Sequence, residues 1–149
     1  MDVTQLSDTT IELSDITAWD KNGQKLLVSK VRARNIVEDI TAKVEDILKF
    51  EYEHNQVIVP YAMTATREEI KIFQWDGENL KTIYTFPTHE VLSEYDPEFS
   101  HKRIFEYYLE TLVEGWLRDL ADNWKTENPP KLKELNQIGF VDKIVDATQ

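Results

Sequence analysis

The stretch from residue 10 to residue 34 constrains this chain more than any other. It reads as two segments of strand period on either side of Asp20-Lys21-Asn22-Gly23. Asn and Gly tolerate the positive φ that a tight reversal needs, so the spacing predicts a hairpin of residues 10–19 and 25–34. Strand side chains alternate between faces. Ile11, Leu13, Asp15, Thr17 and Trp19 therefore share one face of the first strand, and a carboxylate stands among them. Leu26, Val28, Lys30 and Arg32 share one face of the second.

The remaining pattern extends this hairpin into a layered fold. Ile36, Ile40, Val44, Ile47 and Leu48 recur at helical spacing and predict an amphipathic helix over 36–53. Residues 56–63 (QVIVPYAM) form a short apolar run expected to be a buried strand, with Pro60 implying a bulge or an edge position. Residues 69–75 alternate again, Asp76-Gly77 turns the chain, and a strand over 82–86 follows. A short helix opens at Pro87-Thr88 and Asp96-Pro97 breaks it. Ser100 is placed to cap a long helix running to Trp124. Pro129-Pro130 ends that unit, and the tail carries a weaker helical pattern. The expected fold is α/β, a small mixed sheet flanked by helices, in one domain over 1–149 with a core at 10–124 and a helical tail at 125–149.

Composition narrows the function classes. The chain has 149 residues, no cysteine and a net charge of −11. Disulfide frameworks and thiolate metal sites are excluded, and the cytoplasm is the expected compartment. The start, MDVTQLSDTT, has neither the basic nor the apolar run of a signal peptide, and no apolar stretch reaches membrane-span length. The negative charge disfavours nucleic acid and anionic membranes as partners. One stretch runs against it: Lys21, Lys25, Lys30, Arg32 and Arg34 lie within 21–34 with no acid between them. Either acidic helices match this strand internally, or it forms an anion site.

The hairpin, the 36–53 helix, the VIVPYAMTATREEIKIFQWDG segment with its Phe-x-Trp strand, and the later EYYLETLVEGWLRDLAD helix resemble cyanobacterial proteins of the PD-(D/E)XK nuclease superfamily. The resemblance covers roughly residues 10–124 and implies a restriction-endonuclease-like core. In that family a carboxylate on one strand and an acid on the next hold Mg²⁺, and a Lys two residues on helps the attacking water. Asp15 matches the first acid. The family's LVxExK segment falls on Leu27-Val28-Ser29-Lys30-Val31-Arg32, so Lys30 replaces the second acid and Arg32 replaces the Lys. Shifting the frame by two makes Lys30 the catalytic Lys but leaves Val28 at the acid. The resemblance thus implies a degenerate site of Asp15, Lys30 and Arg32, with an ion pair where the metal would sit. Glu38 is the candidate for a relocated acid, with Glu45 behind it, and Mg²⁺ enters only if such a rescue holds.

Other chemistry is thin. His54, His89 and His101 lack metal-ligand spacing, and no glycine-rich phosphate loop or nucleophile elbow occurs. On the long helix Phe105, Leu109, Leu112, Trp116 and Leu120 are expected to cover the sheet. Tyr107, Leu117 and Trp124 lie off that stripe, and with Trp116 they form the candidate interface unless the tail folds over them. Asp119 and Asp122 are expected on the solvated face. The expected function is a catalytically silent nuclease-fold protein that binds a protein partner or assembles with itself. The alternatives are a metal-dependent nuclease or nucleic-acid-binding member of the superfamily, and an acidic inhibitor or antitoxin-like partner.

Overall fold

The computed structural model describes residues 13–34 and 39–149. The hairpin pairs β1 (Thr17–Asp20) with β2 (Lys25–Val31) in antiparallel register, Ala18 opposite Leu27. The turn is held as its composition requires. Asp20 Oδ1 accepts from the Asn22 and Gln24 amides at 2.9 and 3.0 Å, and Gly23 takes φ +73°. β1 starts later than the periodicity suggests, because two serines interrupt the ladder. Ser14 Oγ accepts from the Ser29 amide at 3.0 Å, and Ser29 Oγ accepts from the Ile16 amide at 3.0 Å. Ile11, Ile36 and Glu38 lie outside the described residues.

From β2 the chain crosses through α1 (Ile40–Asn55) to β3 (Tyr61–Ala65), which lies parallel to β2 with Lys30 opposite Thr64. Asp39 caps α1 by accepting from the Ala42 amide at 3.1 Å. Pro60 does not mark a bulge or an edge. It stands just ahead of β3, a central strand, where its missing N–H removes no ladder bond and its carbonyl accepts from the Trp75 amide at 2.9 Å. β4 (Glu69–Trp75) and β5 (Leu80–Pro87) continue as an antiparallel meander.

α2 (Thr88–Leu92), a 3₁₀ turn (Phe99–His101), α3 (Glu106–Asp122) and α4 (Leu132–Gln137) follow. The long helix begins at Glu106, not at Ser100. Asp96 accepts from the Glu98 amide, the Lys102 ammonium and the Tyr108 hydroxyl, which pins the 96–102 turn against the helix side before the chain can wind. The tail is not simply helical. After α4 it returns as β6 (Ile144–Thr148), antiparallel to β1. The result is an α/β fold with a six-stranded mixed sheet of order β5-β4-β3-β2-β1-β6.

Alternation along the strands splits the core in two. Val28, Ala62, Phe73 and Trp75 face α1 and meet Val44, Ile47 and Leu48. Leu27, Val31, Met63, Ile70 and Ile72 belong to the larger core, with Leu109, Val113, Trp116 and Leu120 of α3 and Phe140 of the tail. β2 is covered on both faces, so every residue from Leu26 to Val31 is buried, a serine and a lysine included. That placement creates the candidate site.

Candidate functional site

Lys30 shares the face of Val28, towards α1, yet only 5% of it is exposed. An ammonium taken out of water needs a counter-charge and acceptors. Its Nζ donates to the Leu13 carbonyl at 3.1 Å and lies 3.4 Å from Asp15 Oδ1. Arg32 approaches the other oxygen of the same carboxylate, at 3.2 Å. Asp15 Oδ2 also accepts from the Val31 amide at 2.7 Å, so the carboxylate ties the start of the hairpin to the end of β2. The three residues that the family pattern singles out are therefore together in space, as one carboxylate between two cations.

Two acids of α3 border this group. Glu106 Oε1 accepts from the Ala33 amide at 3.3 Å. Burial pushes Glu110 above the usual carboxylate range; the charges of Asp15 and Glu106 push the same way, and Arg32 and Lys30 partly oppose them. The basic strand also finds an acid on α1, where Lys25 pairs with Glu51. Among the described residues, internal matching of the basic strand thus accounts for Lys25, Lys30 and Arg32 but for neither Lys21 nor Arg34.

Among the described residues, the donor set around Asp15 is one carboxylate beside two cations. A hard ion takes several oxygen ligands, whereas the positions next to this carboxylate hold an ammonium and a guanidinium. Among the described residues no group of three or more His, Asp or Glu side chains is arranged to hold a metal. Glu45 is on α1, where it pairs with Lys49 at 3.1 Å on the wet face.

The candidate interface residues separate. Trp116 and Leu117, 0% and 1% exposed, lie in the larger core and are unavailable to a partner. Trp116 also donates Nε1 to the Pro130 carbonyl at 2.9 Å, so the tail seals it in. Phe105, expected on the sheet-facing stripe, is exposed because it precedes the first helical turn. Tyr107 remains 75% exposed and Trp124 55%. Trp124 is anchored, its Nε1 donating to the Gly115 carbonyl at 2.8 Å and its ring 5.9 Å from Tyr95. It walls a cleft of about 530 Å³ with Arg118, Asp122 and Asp146.

Asp119 corrects the expectation of a solvated aspartate. It is fully buried, accepting from the Tyr95 hydroxyl at 2.7 Å and from the Lys125 and Thr126 amides at 2.9 and 3.2 Å. Its spacing of three from Trp116 puts it on the buried stripe, and that was the available signal. Burial, and then the hydrogen bond to Asp119, push the Tyr95 hydroxyl far above the usual phenol range. At the other end of α3, the hydrogen bonds from Lys102 and Tyr108 hold Asp96 below the usual carboxylate range. The spacing signals that Asp119 is buried but not that Tyr95 meets it, and no such spacing signals Asp96.

Among the described residues no helix is long and apolar enough to cross a membrane. No protein-family model, curated protein or solved structure matches the chain.

Proposed function

We propose that this protein is a catalytically silent member of the PD-(D/E)XK nuclease superfamily that works by binding another protein or by assembling with itself, in the cytoplasm. The observation that carries the reading is the engagement of Asp15 by Lys30 and Arg32. A nuclease of this type needs two acids facing one metal ion. Here the second acidic position is a lysine whose ammonium is turned towards the first. The order of hairpin, helix, parallel strand and Phe-x-Trp strand supports the family reading. The exposed Tyr107 and Phe105 at the start of α3 support a binding role, since large aromatics left in water favour contact surfaces.

The test is cleavage of plasmid and single-stranded DNA in Mg²⁺ and in Mn²⁺, with Asp15→Ala as control. The expected result is no cleavage by either protein. Cleavage by the wild type that disappears in Asp15→Ala would overturn the reading and make Glu38 and Glu45 the next residues to replace. Tyr107→Ser should weaken association with a partner or a second copy without lowering the melting temperature, because its ring is not part of the core.

A further inference from the structure

Arginines from three separated stretches meet at one end of the parallel strand pair. Arg34 follows β2, Arg67 lies between β3 and β4, and Arg103 precedes α3. With Ala33, Ile104 and Phe105 they line a cleft of about 450 Å³. None of the three forms an ion pair among the described residues. Glu106 also borders the cleft, but its carboxylate accepts from the Ala33 amide. Among the described residues, a chain of net charge −11 thus brings three guanidinium groups to one cleft whose lining holds a single carboxylate, Glu106. Like charges sharing one concavity repel one another, and an anion relieves that repulsion.

The aromatic component narrows the ligand. The Arg103 guanidinium lies 5.1 Å over the Phe105 ring, which biases it to one orientation at the rim. Phe105 keeps an exposed apolar surface beside the charges. A second cleft of about 480 Å³ shares Arg67 and Ile104 and carries His89 and Lys102, so the concavity continues along the surface.

We propose that this cleft binds an acidic segment of a partner protein, with carboxylates on the arginine forks and an apolar side chain against Phe105. The proposal rests on the protein-binding reading and names the chemistry of the partner. Arg is suited to this role because its planar fork matches a carboxylate with two parallel hydrogen bonds. A single-stranded nucleic acid fits less well. Its phosphates recur along its whole length, and beyond the arginines they meet Glu106 of this cleft and Glu68 of the adjoining one. A peptide can confine its charges to a few residues.

The experiment is fluorescence anisotropy at low salt with a fluorescein-labelled peptide of about eight residues, mostly glutamate around a central Leu-Phe pair. The comparison probe is a labelled single-stranded oligonucleotide of equal charge. The expected result is saturable peptide binding that weakens about tenfold for each of Arg34→Glu, Arg67→Glu and Arg103→Glu, and several-fold for Phe105→Ser. The arginines are exposed, so these variants should keep the wild-type melt, and Arg→Ala replacements give the same ranking with a milder change. No peptide binding, binding indifferent to the arginines, or tighter binding of the oligonucleotide would overturn the proposal. Failure of the non-catalytic reading appears separately, as metal-dependent cleavage, which this assay does not measure.

Discussion

Asp15 and Asp119 are both withdrawn from water, but they are satisfied by different kinds of partner. Asp119 is fully buried and is met by dipoles: a phenol hydroxyl and two backbone amides. Asp15 is mostly buried and is met by charges, Lys30 and Arg32, with a single backbone amide. The first arrangement closes a loop after α3 and has no use for a cation. The second holds three ionisable groups at the end of a strand covered on both faces, where apolar residues would pack at least as well. Structural need accounts for Asp119 completely. For Asp15 it accounts for the pairing but not for the presence of charge at all.

Breaking each arrangement should expose the contrast. The largest effect is expected for Asp119→Ala, which leaves a phenol hydroxyl and two amides without their acceptor. A loss of about 3–4 kcal/mol is expected, read as a lower urea midpoint. Asp15→Ala removes the carboxylate beside a buried ammonium and should cost about 3 kcal/mol. The sharper test is the pair. Asp15→Ala combined with Lys30→Met should recover much of that loss, because removing both charges is close to neutral where removing one is not. No such recovery is available at Asp119, whose amide donors cannot be mutated away.

Glu110 gives a smaller effect with a definite pH signature. Its folded-state pKa is raised by burial and by the negative charges of Asp15 and Glu106. In the unfolded chain a glutamate titrates near ~4.3. Folding then favours the protonated form, so this group's contribution is fully present below that value and is lost as pH rises through the raised folded value. Glu110→Gln should be more stable than wild type at neutral pH, and the gap should close as the pH approaches about 4. Urea midpoints across that range would show it, and a gap that widens on acidification would contradict the placement of Glu110 beside Asp15. The smallest effect is expected for Arg118→Ala, whose pair with Asp146 at 3.3 Å is half-exposed; about 0.5 kcal/mol or less should be lost.

These differences track what could be read from the sequence. The hairpin was legible because its signals are local: period-2 alternation on both sides of Asp20-Lys21-Asn22-Gly23. The pairing of Asp15 with Lys30 and Arg32 followed from that hairpin, since adjacent strands bring the two positions together. The late start of β1 was not legible, because it depends on Ser14 and Ser29 hydroxyls entering the ladder across the pair. β6 was missed for a similar reason. Ile144 and Ala147 are buried by docking beside β1 and under α3, not by an alternation strong enough to outweigh a helical reading. Leu117 lies off the stripe that the helical spacing predicts, yet the tail and the sheet together bury a wider face of α3. Arg34, Arg67 and Arg103 are far apart in the chain, so only the fold brings them to one cleft.

The central claim is that Lys30 occupies the place a metal ion would take beside Asp15. Titration with Mn²⁺, followed by the loss of the free-ion electron paramagnetic resonance signal, tests it in the wild type, Asp15→Ala and Lys30→Glu. The wild type and Asp15→Ala should leave the signal unchanged, and Lys30→Glu, which restores an acid facing Asp15, should bind the ion. Binding of Mn²⁺ by the wild type that disappears in Asp15→Ala would contradict the claim.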